Sequence, residues 1–209
     1  MNERDRAVIM LDTLHETYPD TRHYLNFSNP LELMVATILS AQTRDTRVNA
    51  LTPSLFAKYK TAEDYGGADL NELTEMVNGV TYFSNKAKYI KNACQILAVD
   101  HDGEVPKTKK ELVALPGIGN KSANAILINA FDVVEGITVD THVIRLSNRW
   151  GFTKTKNPDK IEKDLMNVVP HKYWNIITSL MKDHGRAICG RKPKCDECVI
   201  SEWCPKVGV

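Results

Sequence analysis

The chain has 209 residues, 43% of them hydrophobic and 7% aromatic, with a formal net charge of +1. That length allows one large domain or two small ones sharing a cleft, and the composition excludes a disordered or fibrous chain. The longest apolar runs are broken by charge well short of membrane-spanning length, so no transmembrane helix is expected, and a net charge near zero gives no global argument for nucleic acid.

Helix signals dominate from the start. MNERDRAVIMLDTL mixes acids with bases and lacks an apolar run ending in a cleavage site, so it does not read as a signal or transit peptide; an intracellular protein is expected. Ala7, Met10, Leu11, Leu14 and Tyr18 form a helical stripe that stops at Pro19. Asn29-Pro30-Leu31-Glu32 combines an N-cap, a proline at N1 and a glutamate at N3, and Leu31, Met34, Val35 and Ile38 follow on one face. Asp69 with Glu72, and Thr108 with Glu111, have capping-box spacing, and Asn157-Pro158 opens another helix. Cys94 falls between Ile90 and Leu97 on a helical stripe and reads as a buried core thiol. No run alternates apolar and polar residues between hairpin turns. The expectation is an all-α protein of about ten helices, without a long linker or repeat.

Leu115-Pro116-Gly117-Ile118-Gly119-Asn120-Lys121 joins two of these helices. Pro116 ends the first, Gly117 and Gly119 permit unusual angles and close approach, and Ile118 can plug the gap. A glycine turn feeding a helix start presents N–H groups to an anion and could hold a DNA phosphate; an ordinary tight helical hairpin would read the same way. Lys121 falls in the first turn of the second helix, where the dipole disfavours its charge and burial would lower its pKa further, favouring the neutral amine of a Schiff-base nucleophile. A lysine pointing to water is the alternative. Val139-Asp140-Thr141-His142 reads as an aspartate N-cap, with His142 a structural hydrogen-bonding residue at the same turn. An aspartate at a helix start can also face a cleft; near Lys121 it could take a proton from the amine and stabilise a cationic sugar.

The C-terminal pattern Cys189-x5-Cys195-x2-Cys198-x5-Cys204 is a strong metal signal, and four thiolates suit either zinc or a [4Fe–4S] cluster. An odd cysteine count without a secretory signal argues against a disulfide framework. Between Lys182 and Cys195 five bases face one acid, and Arg191, Lys192 and Lys194 fall inside the first cysteine interval. A metal-pinned basic loop is ordered in advance for phosphate contact, although a solvated charged face has the same composition.

Together LSAQTRD (39–45), LPGIGNKSAN (115–124), VDTHVIR (139–145) and the four cysteines resemble the endonuclease III family of helix-hairpin-helix DNA glycosylases, over essentially the whole chain. The resemblance implies a six-helix domain over 22–132 and a second domain joining 1–21 to 133–209, which carries a [4Fe–4S] cluster. It implies that Lys121 is the nucleophile and Asp140 its carboxylate partner. Gln42 would fill the space of a flipped-out base, and Tyr82 or Phe83 would be the intercalating wedge. The first cysteine interval is one residue shorter than the family's usual spacing; a loop can absorb that, and the cluster is still expected. Relatives that only hydrolyse the base lack the lysine. The implied activity is therefore a bifunctional glycosylase and AP lyase on oxidised pyrimidines in duplex DNA, acting as a monomer in the cytoplasm or at the nucleoid. A monofunctional uracil or thymine mismatch glycosylase, and a non-catalytic zinc-stabilised DNA-binding module, are the rival readings.

Overall fold

The computed structural model describes residues 1–21 and 24–209, and the described residues form eleven α-helices, two short 3-10 turns and no strand. None of the helices is long and apolar enough to cross a membrane. The chain forms two compact units, Met1–Arg22 with Val134–Val209, and His23–Val133. The division expected at residue 22 falls on residues 22–23, outside the described residues.

In the His23–Val133 unit, α2 (Pro30–Ser40) is the central helix. Asn29 caps it by accepting the Glu32 N–H at 2.9 Å, and Glu32 reaches back to accept from the backbone and hydroxyl of Ser28. Every residue from Leu33 to Leu39 is buried, and all but Thr37 are apolar, so the helix is enclosed on every side, as a core helix must be. Around it pack α3 (Asp45–Lys58), α6 (Phe83–Asp100) and α8 (Asn120–Phe131). Two short helices, α4 (Ala62–Gly67) and α5 (Leu70–Met76), lie on α6, and α7 (Lys109–Ala114) leads into α8. The six helices expected here are seven by residue range, because Asp69 caps a new helix two residues after α4 ends. Cys94 is fully buried on α6, and burial, helped by the Glu63 carboxylate, pushes its thiol up to about 12; it is an unreactive core residue.

The other unit is assembled from the two ends of the chain. Its helices are α1 (Glu3–Thr17), α9 (Thr141–Arg149), α10 (Pro158–Val168) and α11 (Ile177–Ala187). The expected α1 stripe is real: Ala7, Met10, Leu11 and Leu14 are fully buried. They pack with Leu146, Trp150, Leu165 and Leu180. Polar ties fasten α1 to the C-terminal half. Arg6 donates to the Trp150 carbonyl at 2.6 Å and lies over the Phe152 ring, and the Tyr173 hydroxyl donates to Asp12 at 2.6 Å. These links explain why an N-terminal helix belongs to a unit formed mostly by residues more than a hundred positions away.

Candidate functional site

The hairpin between α7 and α8 is built largely by local rules. Leu115 turns extended ahead of Pro116, which stops α7. Gly117 sits at φ +82°, in the left-handed region, and a Cβ there would lie 2.9 Å from the Tyr89 Cβ of α6. Both conditions require glycine. Gly119 differs: its backbone is extended (φ −103°, ψ 180°), and a Cβ would meet nothing within 4 Å. The space beside the Gly119 Cβ position is open, and the N-cap of α8, being a glycine, offers no side chain to the helix's first N–H groups. Ile118 is only 5% exposed, and its N–H donates to the Leu115 carbonyl, so it serves the core of the hairpin rather than the outer surface. Lys121 stands at N2 of α8 and is exposed. The burial considered from the sequence is not supplied by the protein around it.

Gln42 and Tyr82 lie on two turns that are stitched together. Gln42, exposed just beyond α2, has φ 54°; Tyr82, the residue before α6, has φ 55° and is 61% exposed. Of the two wedge candidates, Tyr82 projects from the surface, whereas Phe83 packs against the core. Thr43 Oγ1 accepts from the Thr81 N–H at 3.1 Å, and Arg47 Nε donates to the Gly79 carbonyl at 2.7 Å. Gln42, Thr43, Arg44, Arg47, Gly79 and Thr81 all line one open groove.

Asp140 caps α9 as expected. Its Oδ1 accepts from the His142 N–H at 2.8 Å and the Val143 N–H at 2.9 Å, so Oδ2 is not used by the cap. His142 Nδ1 lies 3.1 Å from Arg145 Nη2. Arginine can only donate, so Nδ1 accepts and the proton of the neutral ring is on Nε2. Burial pushes the His142 imidazole down, against the pull of the Asp140 carboxylate, which agrees with that neutral form. Gly185 of α11 makes room for this pair, since a Cβ there would lie 2.6 Å from His142 Nδ1 and 2.8 Å from Arg145 Nη2.

The four cysteines line one cavity, together with Arg149, Trp150 and His184. Burial pushes the Cys198 and Cys204 thiols up, and the neighbouring cysteine sulfurs add to it at both, the signature of sulfurs gathered in one place. Arg149 Nη1 donates to Cys189 Sγ at 3.3 Å and to the Gly190 carbonyl at 2.6 Å, while Arg145 Nε donates to the Cys189 carbonyl at 3.1 Å. The loop is thus fastened to α9 by backbone acceptors, which leaves Arg191, Lys192 and Lys194 exposed on its rim. Lys194 is partly neutralised by Glu197 at 3.4 Å. The donor set, four soft thiols around one cavity, fits an iron–sulfur cluster.

Lys86, Thr43, Arg149 and Gly185 escaped notice in the sequence. Lys86 did leave a trace: it falls on the buried stripe of α6, beside Ala87 and ahead of Ile90 and Cys94, where a lysine is out of place.

Comparison with known proteins agrees with this geometry. The model of the HhH-GPD superfamily base excision DNA repair proteins matches residues 35–171. That of the iron–sulfur binding domain of endonuclease III matches residues 190–204, starting one position after Cys189. The endonuclease III of Synechocystis sp. is 43% identical over 205 residues, covering 98% of this chain and 94% of the relative. The Escherichia coli K12 enzyme is 37% identical, covering 98% and 96%. A solved endonuclease III–DNA trapped covalent intermediate superposes with a TM-score of 0.91 at 37% identity, covering 99% of this chain and 97% of that one. With its helical hairpin, its left-handed turns and its iron–sulfur loop, the chain belongs to the endonuclease III family of the HhH-GPD base excision DNA repair superfamily.

Proposed function

We infer that this protein is a bifunctional DNA glycosylase and AP lyase of base excision repair, removing oxidised pyrimidines from duplex DNA and cutting 3′ to the resulting abasic site. The observation that carries this reading is Lys121, an exposed amine in the first turn of α8, just after the glycine N-cap Gly119. The capture of a solved relative as a trapped endonuclease III–DNA covalent intermediate supports a covalent route.

Chemistry on a paired base requires taking it out of the stack. The open side of Gly119 and the first N–H groups of α8 offer one phosphate a place, and the rim of Arg191, Lys192 and Lys194 offers others. Gln42 fills the vacated space and Tyr82 wedges the duplex. The Lys121 amine forms a bond to C1′ as the C1′–N bond to the base breaks. Asp140, whose Oδ2 the cap leaves unused, takes the proton from the amine and supports the cationic sugar. Ring opening gives the Schiff base. Loss of a C2′ proton then expels the 3′ phosphate with its C3′–O bond. Lys121 supplies the nucleophile that a purely hydrolytic glycosylase does not need.

Cys189, Cys195, Cys198 and Cys204 are the ligands we propose for a [4Fe–4S] cluster. Such a cluster is structural here: four cysteines leave no open ligand position, and its role is to hold the basic loop in shape. A broad visible absorbance of the purified protein, with about four irons per chain, is the expected result; zinc in its place would overturn the assignment. One copy of the chain carries every proposed group, so the acting unit is a monomer on damaged DNA, at the nucleoid.

The reading is tested by incubating the protein with a duplex holding one thymine glycol, adding borohydride, and repeating the trap with Lys121→Gln. A trapped complex that vanishes in the variant is expected. Base release without trapping would mean a monofunctional mismatch-type enzyme. DNA binding with neither trapping nor release across a panel of damaged bases would mean a binding module.

A further inference from the structure

Lys86 is a lysine in a core position. It is 3% exposed, and its Nζ donates to the Leu39 carbonyl at 2.7 Å, the Ala41 carbonyl at 2.6 Å and Thr43 Oγ1 at 3.0 Å. The ammonium has three protons and three acceptors, all from the end of α2 and the turn beyond it. That helix end needs a cation, because its last carbonyls carry the negative end of the helix dipole and α2 has no basic residue in its own last turn. The cation comes instead from α6, whose first turn starts at Tyr82: the Lys86 N–H donates to the Tyr82 carbonyl at 3.1 Å. Thr43 Oγ1 completes the circuit by also accepting from the Thr81 N–H.

Two left-handed, non-glycine residues flank this circuit, Gln42 at φ 54° and Tyr82 at φ 55°. Such residues persist only where the surroundings over-determine them, and they concentrate at functional sites. A cap for α2 alone could have been supplied from the surface without burying a charge. The buried amine does something a surface cap could not: it bonds one turn while its own helix carries the other.

We infer that Lys86 is a positioning residue for base extrusion, its ammonium locking the Gln42 turn to the Tyr82 turn so that void-filler and wedge meet the duplex in a fixed register. This rests on the reading of Gln42 and Tyr82 given above. Burial pushes the Lys86 amine down to about 8, and the three oxygen acceptors favour its charged form.

The test uses the holoenzyme and a substrate pair that separates extrusion from chemistry. Borohydride trapping is timed at saturating enzyme on the same abasic strand, once in duplex and once single-stranded, for the native protein, Lys86→Met and Thr43→Val. A 2-aminopurine placed opposite the abasic site reports filling of the void. For Lys86→Met, duplex trapping is expected to slow by roughly tenfold or more and single-strand trapping to stay within about twofold, because only the duplex needs the two turns in register. The 2-aminopurine signal is expected to shift, and Thr43→Val to do the same more weakly. Equal loss on both substrates, or no loss on either, would overturn the inference. If Lys86→Met does not fold, Thr43→Val decides by the same criterion. The double variant Gln42→Ala/Tyr82→Ala is the control. If it shows no duplex-specific defect, the underlying reading of those two residues fails; if it does and both Lys86→Met and Thr43→Val do not, only the role of Lys86 fails.

Discussion

The turn at Gly117 and the paired turns at Gln42 and Tyr82 solve the same backbone problem in opposite ways. Each places a residue in the left-handed region. At Gly117 the residue that costs least there is supplied, with Pro116 before it and a helix start after it, so a few consecutive residues specify the turn. At Gln42 and Tyr82 ordinary side chains are forced into the same region and held by Lys86, Thr43 and Arg47 from positions far along the chain. The difference follows from use. The hairpin offers backbone, so its side chains can be small; the paired turns offer side chains, so glycine would remove the functional group along with the strain.

The largest effect expected from testing this contrast is at Gly117. Gly117→Ala adds a Cβ 2.9 Å from the Tyr89 Cβ at a backbone angle alanine resists, and a loss of about 1–3 kcal/mol in denaturant unfolding is expected. In a Tyr89→Ala background the steric part should recover and about 1 kcal/mol of backbone cost remain. Full recovery would mean the angle itself is not a constraint, and no recovery would mean Tyr89 is not the obstacle.

Gln42→Gly should act the other way on stability and function. It relieves the left-handed strain, so stability is expected to rise or to hold within about 1 kcal/mol, while trapping on duplex damage falls. A clear destabilisation would show that the Gln42 side chain itself helps fold the turn. The smallest stability effect is expected at Gly119, where the backbone is extended and the Cβ position is open. Gly119→Ala should leave stability within about 0.5 kcal/mol and weaken DNA binding measured by anisotropy, with a shallower salt dependence if one phosphate contact is lost. Unchanged binding would move the phosphate away from this face.

Much of the architecture was legible because its signals are short-range. Asn29, Asp69, Thr108, Asp140 and Asn157 each accept an N–H from a residue two or three positions on, and each starts a helix. The apolar stripe of α1 could be read for the same reason. Gly119 shows where such rules stop: it shares a five-residue turn with Gly117, but only the fold reveals that one is required by the protein itself and the other faces open space. Ile118, by contrast, reads from the sequence as a plug between the two helices and is buried.

By itself the sequence determined an all-helical chain of the endonuclease III family, the helix starts, the glycine hairpin bearing Lys121 and the four-cysteine loop. Each of these is written in residues a few positions apart, where capping, proline and glycine geometry and thiol spacing act. Only the tertiary structure decided that Lys121 is exposed, that α9 arginines hold the cysteine loop, that Gly185 makes room for His142 and Arg145, and that a buried lysine stitches two strained turns together. Lys86 lies 43 to 47 residues from its acceptors, and no local pattern can announce a bond whose two ends are brought together only when α6 packs on α2.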